Sequence, residues 1–411
     1  MKLIILTQYY PPEHGAPQNR WHDLVRRWRT KGVEVTVLTA MPNYPGGEVF
    51  PAYKGRWSLR EEVDGVPVVR SWIWASKKKG IIPQLRAYFS FVFSSMMVGL
   101  TSLSKADFLM CESPPLFLGF TAVVLSLLKR AKLVMNISDL WPESAVQLGM
   151  LKPGPALSIL EWFERFLYRS SVLVTCQTEG IVAGVKKSFP GARTFLFPNG
   201  VDPEMFQPAP RDPALRRELG MPEEGLVVGY GGNHGRSQGL SQVLEAASIL
   251  KKEKVFFALF GDGPEKEELQ VKAASLGLDN LRFYASRPRQ EMCRVQALWD
   301  IALVPLKDLK IFEGARPSKM FELMAGGIPF VFCGKGEGAE LAERSGCAVI
   351  VPPERPRELA EAILKLSNTP REELRQMGEA GHRFVLEHFD RSKLAGRFLE
   401  ELESKITGRR P

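Results

Sequence analysis

Residues 313–332, EGARPSKMFELMAGGIPFVF, hold the densest set of groups suited to an anionic ligand that also carries hydroxyls. Pro317 fits the first turn of a helix, where a missing N–H costs nothing. Ser318 and Lys319 then place donors at the positive end of that helix, and Arg316 adds a planar guanidinium. Glu322 follows one turn later on the same face. A diphosphate at the helix start, with a diol accepted by the Glu322 carboxylate, would use every one of these groups.

Two glycine-bearing loops have related chemistry. In VVGYGGNHGRSQGL, Gly231, Gly232, Gly235 and Gly239 surround Asn233, Arg236 and Gln238, between a strand-like run and a helical one. This is a phosphate-cradle type of loop, although it has neither G-x-G-x-x-G nor Walker A spacing. In TQYYPPEHGAPQNRW, Gly15 stands just before a helical pattern, where backbone N–H groups and the helix dipole can receive a phosphate. The carboxylates Asp139 and Glu143 of SDLWPESAVQ follow another strand-like run. His14, His22, His234, His382 and His388 show no metal-ligand spacing and no D-x-D ends a strand, so no metal is expected.

The elements that must position these groups follow one rhythm. Short β-branched apolar runs alternate with longer helical patterns, which marks parallel βαβ sheets. Strands are expected at 3–7, 35–39, 68–71, 107–110, 133–137, 172–176 and 194–197, with helices at 20–31 and 156–169 among them. A second series runs at 226–230, 255–260, 281–284, 301–305, 329–333 and 348–351. Residues 203–224, rich in proline and charge, read as a linker between the two. The fold class is therefore α/β: two Rossmann-like, doubly wound parallel-sheet domains facing across a cleft. The first is expected over 1–204, with a C-terminal helix in 391–411 packing back on it, and the second over 205–390. Ligands of such sheets bind at the carboxyl ends of the strands.

With 411 residues the chain is too long for one ordinary core, and 45% hydrophobic with 25% charged residues describes a globular protein. The five scattered cysteines form no C-x-x-C pair, and four of them sit in strand-like or apolar surroundings, which reads as buried thiols in a reducing cytoplasm. The N-terminus reads as a first strand and not a leader. A net charge of +9 points to anionic partners, namely nucleoside diphosphates or acidic lipid headgroups. Nucleic acid ranks last, because zinc-finger spacing and RNP-like aromatic motifs are missing. One stretch breaks the rhythm: Lys77, Lys78 and Lys79 precede a run that is apolar from Ala87 to Leu103. It fits a helix buried against the first sheet better than a spanning helix, and a helix lying at a basic-flanked lipid surface is a third reading.

Taken together, TQYYPPEHGAPQNR, LTAMPNYPGG, SDLWPESAVQLGM, FPNGVD, YGGNHGRSQGL, FGDGP and RPSKMFELMAGG resemble glycosyltransferase family 4. The similarity is to its bacterial surface-polysaccharide branch, which includes fucosamine (L-FucNAc) transferases of O-antigen and capsule synthesis. It covers the chain from the N-terminus to about Pro329. The resemblance implies the GT-B form of the two-domain fold and a retaining, metal-independent hexosyltransferase without a cofactor. Its donor would be a nucleotide-sugar, UDP being favoured over GDP, and its acceptor a glycan or a polyprenyl-diphosphate-linked one. Work on such an acceptor would keep a cytoplasmic enzyme at the inner face of the membrane, with residues 77–103 as the contact.

By the same resemblance, Gly15 meets the donor phosphates and Glu322, the second glutamate of the family's E-x7-E motif, holds the ribose. Asn233, Arg236, Gln238, Gly261, Ser318 and the basic pair Arg316 and Lys319 complete the donor side. Four positions depart from the family. Gly314 takes the place of the first glutamate, with Glu313 one residue out of register. Asn233 and Gln238 replace an Arg and a Lys, so the diphosphate charge falls to Arg316 and Lys319, with Arg236 beside them. Ser138 replaces a histidine, and Asp139 and Glu143 follow it. Asp139, Glu143 and Glu313 are the candidate catalytic residues. In a retaining enzyme of this form the leaving diphosphate oxygen can take the acceptor's proton, leaving Asp139 to orient the acceptor hydroxyl or the donor sugar. Capping the helix that starts at Pro142 is equally open to it. The competing activities are a nucleotide-sugar 2-epimerase of the same architecture and a subunit that binds nucleotide-sugar without transfer.

Overall fold

The computed structural model describes residues 1–13, 15–44, 46–78, 80–147 and 149–407. His14, Lys79 and residues 408–411, all part of the expectations above, lie outside that set. Contacts divide the chain into two compact units, Met1–Pro198 with Ser392–Pro411, and Asn199–Arg391.

The first unit carries strands β1 (Lys2–Leu6), β2 (Glu34–Ala40), β3 (Ser58–Val63), β4 (Val66–Ser71), β5 (Phe108–Ser113), β6 (Lys132–Ile137), β7 (Leu173–Cys176) and β8 (Thr194–Leu196). They lie in the order β3-β4-β2-β1-β5-β6-β7-β8. The strands run parallel except where β3 pairs antiparallel with β4. β3 has no counterpart among the expected strands. Its sequence SLREEV is mostly polar because it forms the sheet's edge, with residues alternating between exposed and half-buried.

Side chains of β1 alternate, with Ile4 and Leu6 in one core cluster and Leu3 and Ile5 in another, so each face of the sheet needs its own helices. The helices of this stretch are α1 (Ala16–Thr30), α2 (Ile81–Ser102), α3 (Leu118–Leu128), α4 (Glu143–Gln147), α5 (Pro155–Ser170) and α6 (Glu179–Ser188). α2, α3, α5 and α6 cover one face through Phe91, Val98, Leu125, Leu167 and Val185. α1 covers the other through Trp21, Val25 and Trp28.

The second unit is wholly parallel. Its strands β9 (Leu226–Gly231), β10 (Val255–Phe260), β11 (Leu281–Tyr284), β12 (Ile301–Pro305), β13 (Phe330–Cys333) and β14 (Ala348–Val351) lie in the order β11-β10-β9-β12-β13-β14. Around them stand α7 (Pro213–Glu218), α8 (Ser241–Ile249), α9 (Lys266–Ser275), α10 (Arg289–Gln296), α11 (Ser318–Ala325), α12 (Glu337–Arg344), α13 (Pro356–Ser367) and α14 (Arg371–His388). The stretch 203–224 is not a free linker. Phe206, Leu219 and Met221 are buried in the core beside Met320 and Phe321, and Asp212 caps α7 by accepting from the N–H of Ala214 and Leu215. Three apolar side chains spaced among the prolines suffice to fold it down. α15 (Arg391–Thr407) packs with α1, the Trp28 indole donating to the Ala395 carbonyl at 3.2 Å and Phe398 stacking on Phe197 at 4.8 Å.

Candidate functional site

In the second unit, the polar groups converge where β9 and β10 end. Gly261 follows β10 at φ +144°, and a Cβ there would sit 1.8 Å from the Gly232 carbonyl oxygen, so only glycine lets the two strand-end loops touch. Beyond Gly232 the chain passes Asn233 and enters a tight turn at Arg236–Gln238. The hydroxyl of Tyr230 donates to the Asn233 carbonyl at 2.7 Å and fixes the turn's approach. Asn233 and Arg236 are exposed, while His234 is fully buried. Burial and the nearby Lys266 push the His234 imidazole pKa down to about 4, so it packs as a neutral ring at neutral pH.

Lys319 reaches this loop from the first turn of α11. Its ammonium donates to Gln238 Oε1 at 2.8 Å and lies 4.2 Å from the centre of the Tyr230 ring. The cation missing at position 238 is thus brought there by a residue 81 positions away in sequence. Lys319 is half-buried, with protein atoms packed around its ammonium. That desolvation pushes its pKa down to about 7, against the opposing pull of Glu322. Pro317 caps α11 from just outside, so Ser318 is the first helical residue.

Arg316 and Glu322 have charged partners of their own. Arg316 forms an ion pair with Glu337 of α12 at 2.8 Å, both largely buried, so its charge is balanced inside the protein. Glu322 pairs with Arg289 of α10 at 3.2 Å, and the Arg289 guanidinium stacks over Phe206 at 4.9 Å. Arg289 carried no signal in the sequence beyond a cation at a helix start. Glu313 is exposed and offers its backbone, its carbonyl accepting from the Glu337 N–H at 2.7 Å.

At the strand ends of the first unit, Gly15 stands at the start of α1 with extended backbone. Beside it the buried Glu13 carboxylate accepts from the N–H groups of Asn43, Tyr44 and Tyr10 at 2.7, 2.8 and 3.3 Å. This ties the Gly15 loop to the loop after β2. Deeper in lies a network that sequence reading missed. Glu112, at the end of β5, accepts from the Ser138 hydroxyl and from the Asn136 amide at 2.8 Å. Asn136 Oδ1 accepts from Thr175 at 2.8 Å and from Arg20 at 3.4 Å, and Gln177 donates to Ser138. Burial raises the Glu112 pKa, opposed by Arg20 and these hydrogen bonds. The available signal was a lone carboxylate at the carboxyl end of an otherwise apolar strand. Ser138 is half-buried at the rim of the network.

Asp139 follows directly. Its carboxyl pKa is raised by burial although the Ser144 side chain and the Leu140 N–H donate to it, which ties the carboxyl to the first turn of α4 without the helix backbone N–H contact of a cap. Glu143 is exposed and takes a hydrogen bond from Gln147 at 3.2 Å. Among the described residues, no group of three or more His, Cys, Asp or Glu side chains is placed to hold a metal.

Residues 15–200 match the model of the Glycosyl transferase 4-like domain, and residues 212–384 match that of Glycosyl transferases group 1. The chain is 28% identical over 373 residues to the putative colanic acid biosynthesis glycosyl transferase WcaI of Escherichia coli K12, covering 88% of this chain and 91% of that one. It is 28% identical over 371 residues to the probable glycosyltransferase WbjE of Pseudomonas aeruginosa, covering 88% of each. Among solved structures, sucrose-phosphate synthase from Thermosynechococcus elongatus superposes with a TM-score of 0.78 at 15% identity, over 99% of this chain and all of that one, 100%. Anabaena Alr3699/HepE in complex with UDP and glucose gives 0.72 at 19% identity, over 98% and 100%. These likenesses show the GT-B fold.

Proposed function

The chain belongs to the GT-B glycosyltransferases that join a 4-like domain to a group 1 domain, and from that premise we propose that it is a retaining, metal-independent enzyme of bacterial surface-polysaccharide synthesis. The donor in this reading is a UDP-sugar, supported by the UDP and UDP-glucose complexes of the HepE structures. The acceptor is a lipid-linked glycan, met at the inner face of the cell membrane through residues 77–103.

One observation carries the donor side: a desolvated ammonium, Lys319, held by neutral partners at the carboxyl ends of β9 and β10. A diphosphate beside it gains a charge-assisted contact and relieves the cost of its burial. In the transfer step the acceptor oxygen bonds the anomeric carbon on the face from which the diphosphate departs. The carbon–diphosphate bond breaks and a diphosphate oxygen receives the acceptor's proton. Lys319 stabilises the charge that develops on that leaving group. Glu322, aimed by Arg289, accepts the ribose hydroxyls, and Asn233, Gln238, Arg236, Gly261 and Ser318 complete the cradle. Arg316 acts indirectly in this reading, bracing the loop before α11 through Glu337. The Glu112 network and Asp139 offer the first unit's groups to sugar hydroxyls.

Thermal unfolding against a panel of UDP- and GDP-sugars tests the donor, since a bound ligand raises the midpoint by mass action. The sugar that stabilises is then offered with lipid-linked glycan extract, and the anomeric configuration of the product is read by NMR. An inverted product removes the retaining mechanism, and stabilisation by GDP-sugars alone removes UDP.

A further inference from the structure

α2 is not buried as a whole, against the preference stated for residues 87–103. Phe91, Ser94 and Val98 face the sheet, whereas Ile82, Phe89, Phe93 and Met97 remain exposed, Ile82 at 67% and Phe93 at 54%. Nor is α2 alone. Phe120, Leu127 and Leu128 stay exposed on α3, and Ile159, Trp162 and Phe166 on α5, Trp162 at 61%. Most of the large apolar side chains exposed among the described residues thus belong to three helices on the same face of one sheet. Isolated exposed apolar residues are ordinary, but a contiguous set this size marks a contact surface.

The three helices form one continuous layer. Thr121 of α3 donates to the Val92 carbonyl of α2 at 2.8 Å, and Phe89 meets Phe117 at 4.7 Å. Gly99 lets Leu125 of α3 approach, since a Cβ there would lie 2.6 Å from its methyl, and Gly119 admits Leu167 of α5 in the same way at 2.4 Å. On α5, Trp162 and Phe166 stack at 5.9 Å, outward from that junction. At the other end of the layer a groove of about 520 Å³ opens between Trp72, Trp74, Ile82, Leu85 and Phe89, with the Arg86 guanidinium 5.5 Å from the Trp74 ring.

The charge around this layer selects its occupant. α2 and α3 contain no Asp or Glu. Exposed Lys77 and Lys78 precede α2, Arg86 lies on it, Arg130 follows α3, and Arg165 and Arg169 project from α5. The α5 carboxylates are Glu164, which is buried and bonded to Tyr168, and the half-buried Glu161. In a two-fold dimer a second copy would cover this cationic face with the same cationic face. An anionic bilayer complements it, apolar side chains entering the headgroup region and the basic ones meeting lipid phosphates. Among the described residues no helix is long and apolar enough to cross a membrane.

We infer that the whole outward face of α2, α3 and α5, and not residues 77–103 alone, is the docking surface for an anionic phospholipid bilayer. This rests on the membrane contact in the reading above and widens it to a helix more than fifty residues further along the chain. The test is flotation of the full chain with vesicles of phosphatidylcholine, with and without phosphatidylglycerol. Wild type binds the anionic vesicles and releases them at high salt. Trp162→Ser/Phe166→Ser, outside residues 77–103, weakens binding by about tenfold or more, as expected for withdrawing two large apolar side chains. Both residues are exposed, so an unchanged unfolding midpoint confirms that the variant folds. Full binding by this variant, alongside lost binding by Lys77→Glu/Lys78→Glu, overturns the inference and leaves the narrower contact standing. Equal binding to pure phosphatidylcholine overturns the choice of an anionic surface. So does a dimer in sedimentation that this variant dissociates, with no flotation. Stabilisation of the same proteins by UDP-sugars reports on the donor reading separately.

Discussion

The two sheets end in polar clusters of opposite character. In the first unit, Glu112 is buried yet met by Ser138, Asn136 and the charge of Arg20, so the cluster is balanced from within. In the second, the Lys319 ammonium has a neutral amide and an aromatic ring for neighbours, and the closest carboxylate, Glu322, is engaged by Arg289. A balanced network keeps geometry, whereas a desolvated cation with neutral partners gains from an anion placed beside it. In the function proposed above, the first cluster orients and the second binds.

The largest expected effect breaks the second cluster. Lys319→Met should remove the stabilisation by nucleotide-sugar, costing about 1.5–3 kcal/mol of donor affinity, while Glu322→Ala weakens the donor through the ribose. The Lys319 change should leave the donor-free protein at least as stable. The sign follows from linkage. The folded pKa of about 7 lies below the ordinary lysine value, so between them the unfolded chain binds more protons and stability rises with pH. The variant should lose that rise and gain stability at neutral pH. An unchanged donor-induced shift in both variants would move the donor site elsewhere.

The same ammonium should set the pH dependence of binding. A diphosphate favours the charged form, so donor affinity should be highest below about 7 and fall as pH rises past it, by up to about tenfold per unit. Calorimetric titration across that range measures it. A flat profile in wild type would show that another cation carries the charge.

A smaller effect is expected from Glu112→Gln, which keeps the shape of the balanced cluster. Turnover should fall by about tenfold while donor-induced stabilisation stays, the mark of orientation and not donor binding. The raised pKa of Glu112 means that the folded state holds its proton longer than the unfolded one. Stability therefore declines as pH rises from the unfolded value through the folded one, and the variant should flatten that decline. Superimposable stability profiles with full turnover would make the network mere packing. The smallest expected effect is that of EDTA, which should leave transfer unchanged when, as proposed, Lys319 and the start of α11 meet the diphosphate. Activity lost to chelation and restored by magnesium would refute that assignment.

Sequence reading reached most of this architecture for a physical reason. Buried parallel strands are short apolar runs, and the expected strands at 255–260, 281–284 and 301–305 coincide with β10, β11 and β12. It failed at β3, whose edge position admits the polar run SLREEV, and at 203–224, where three buried apolar residues outweigh the prolines. It found Lys319, Gln238 and Glu322 as types, because a strand–loop–helix pattern with donors at the helix start is local. Which of them share a space was not legible. That Lys319 meets Gln238, that Arg316 is spent on Glu337 and Glu322 on Arg289, and that Glu112 holds Ser138 are pairings between separate strand ends. Period and composition determine which residues turn inward. Only the stacking of helices on sheets decides whose charge is answered by a neighbour, and which apolar faces, like those of α2, α3 and α5, are left without one.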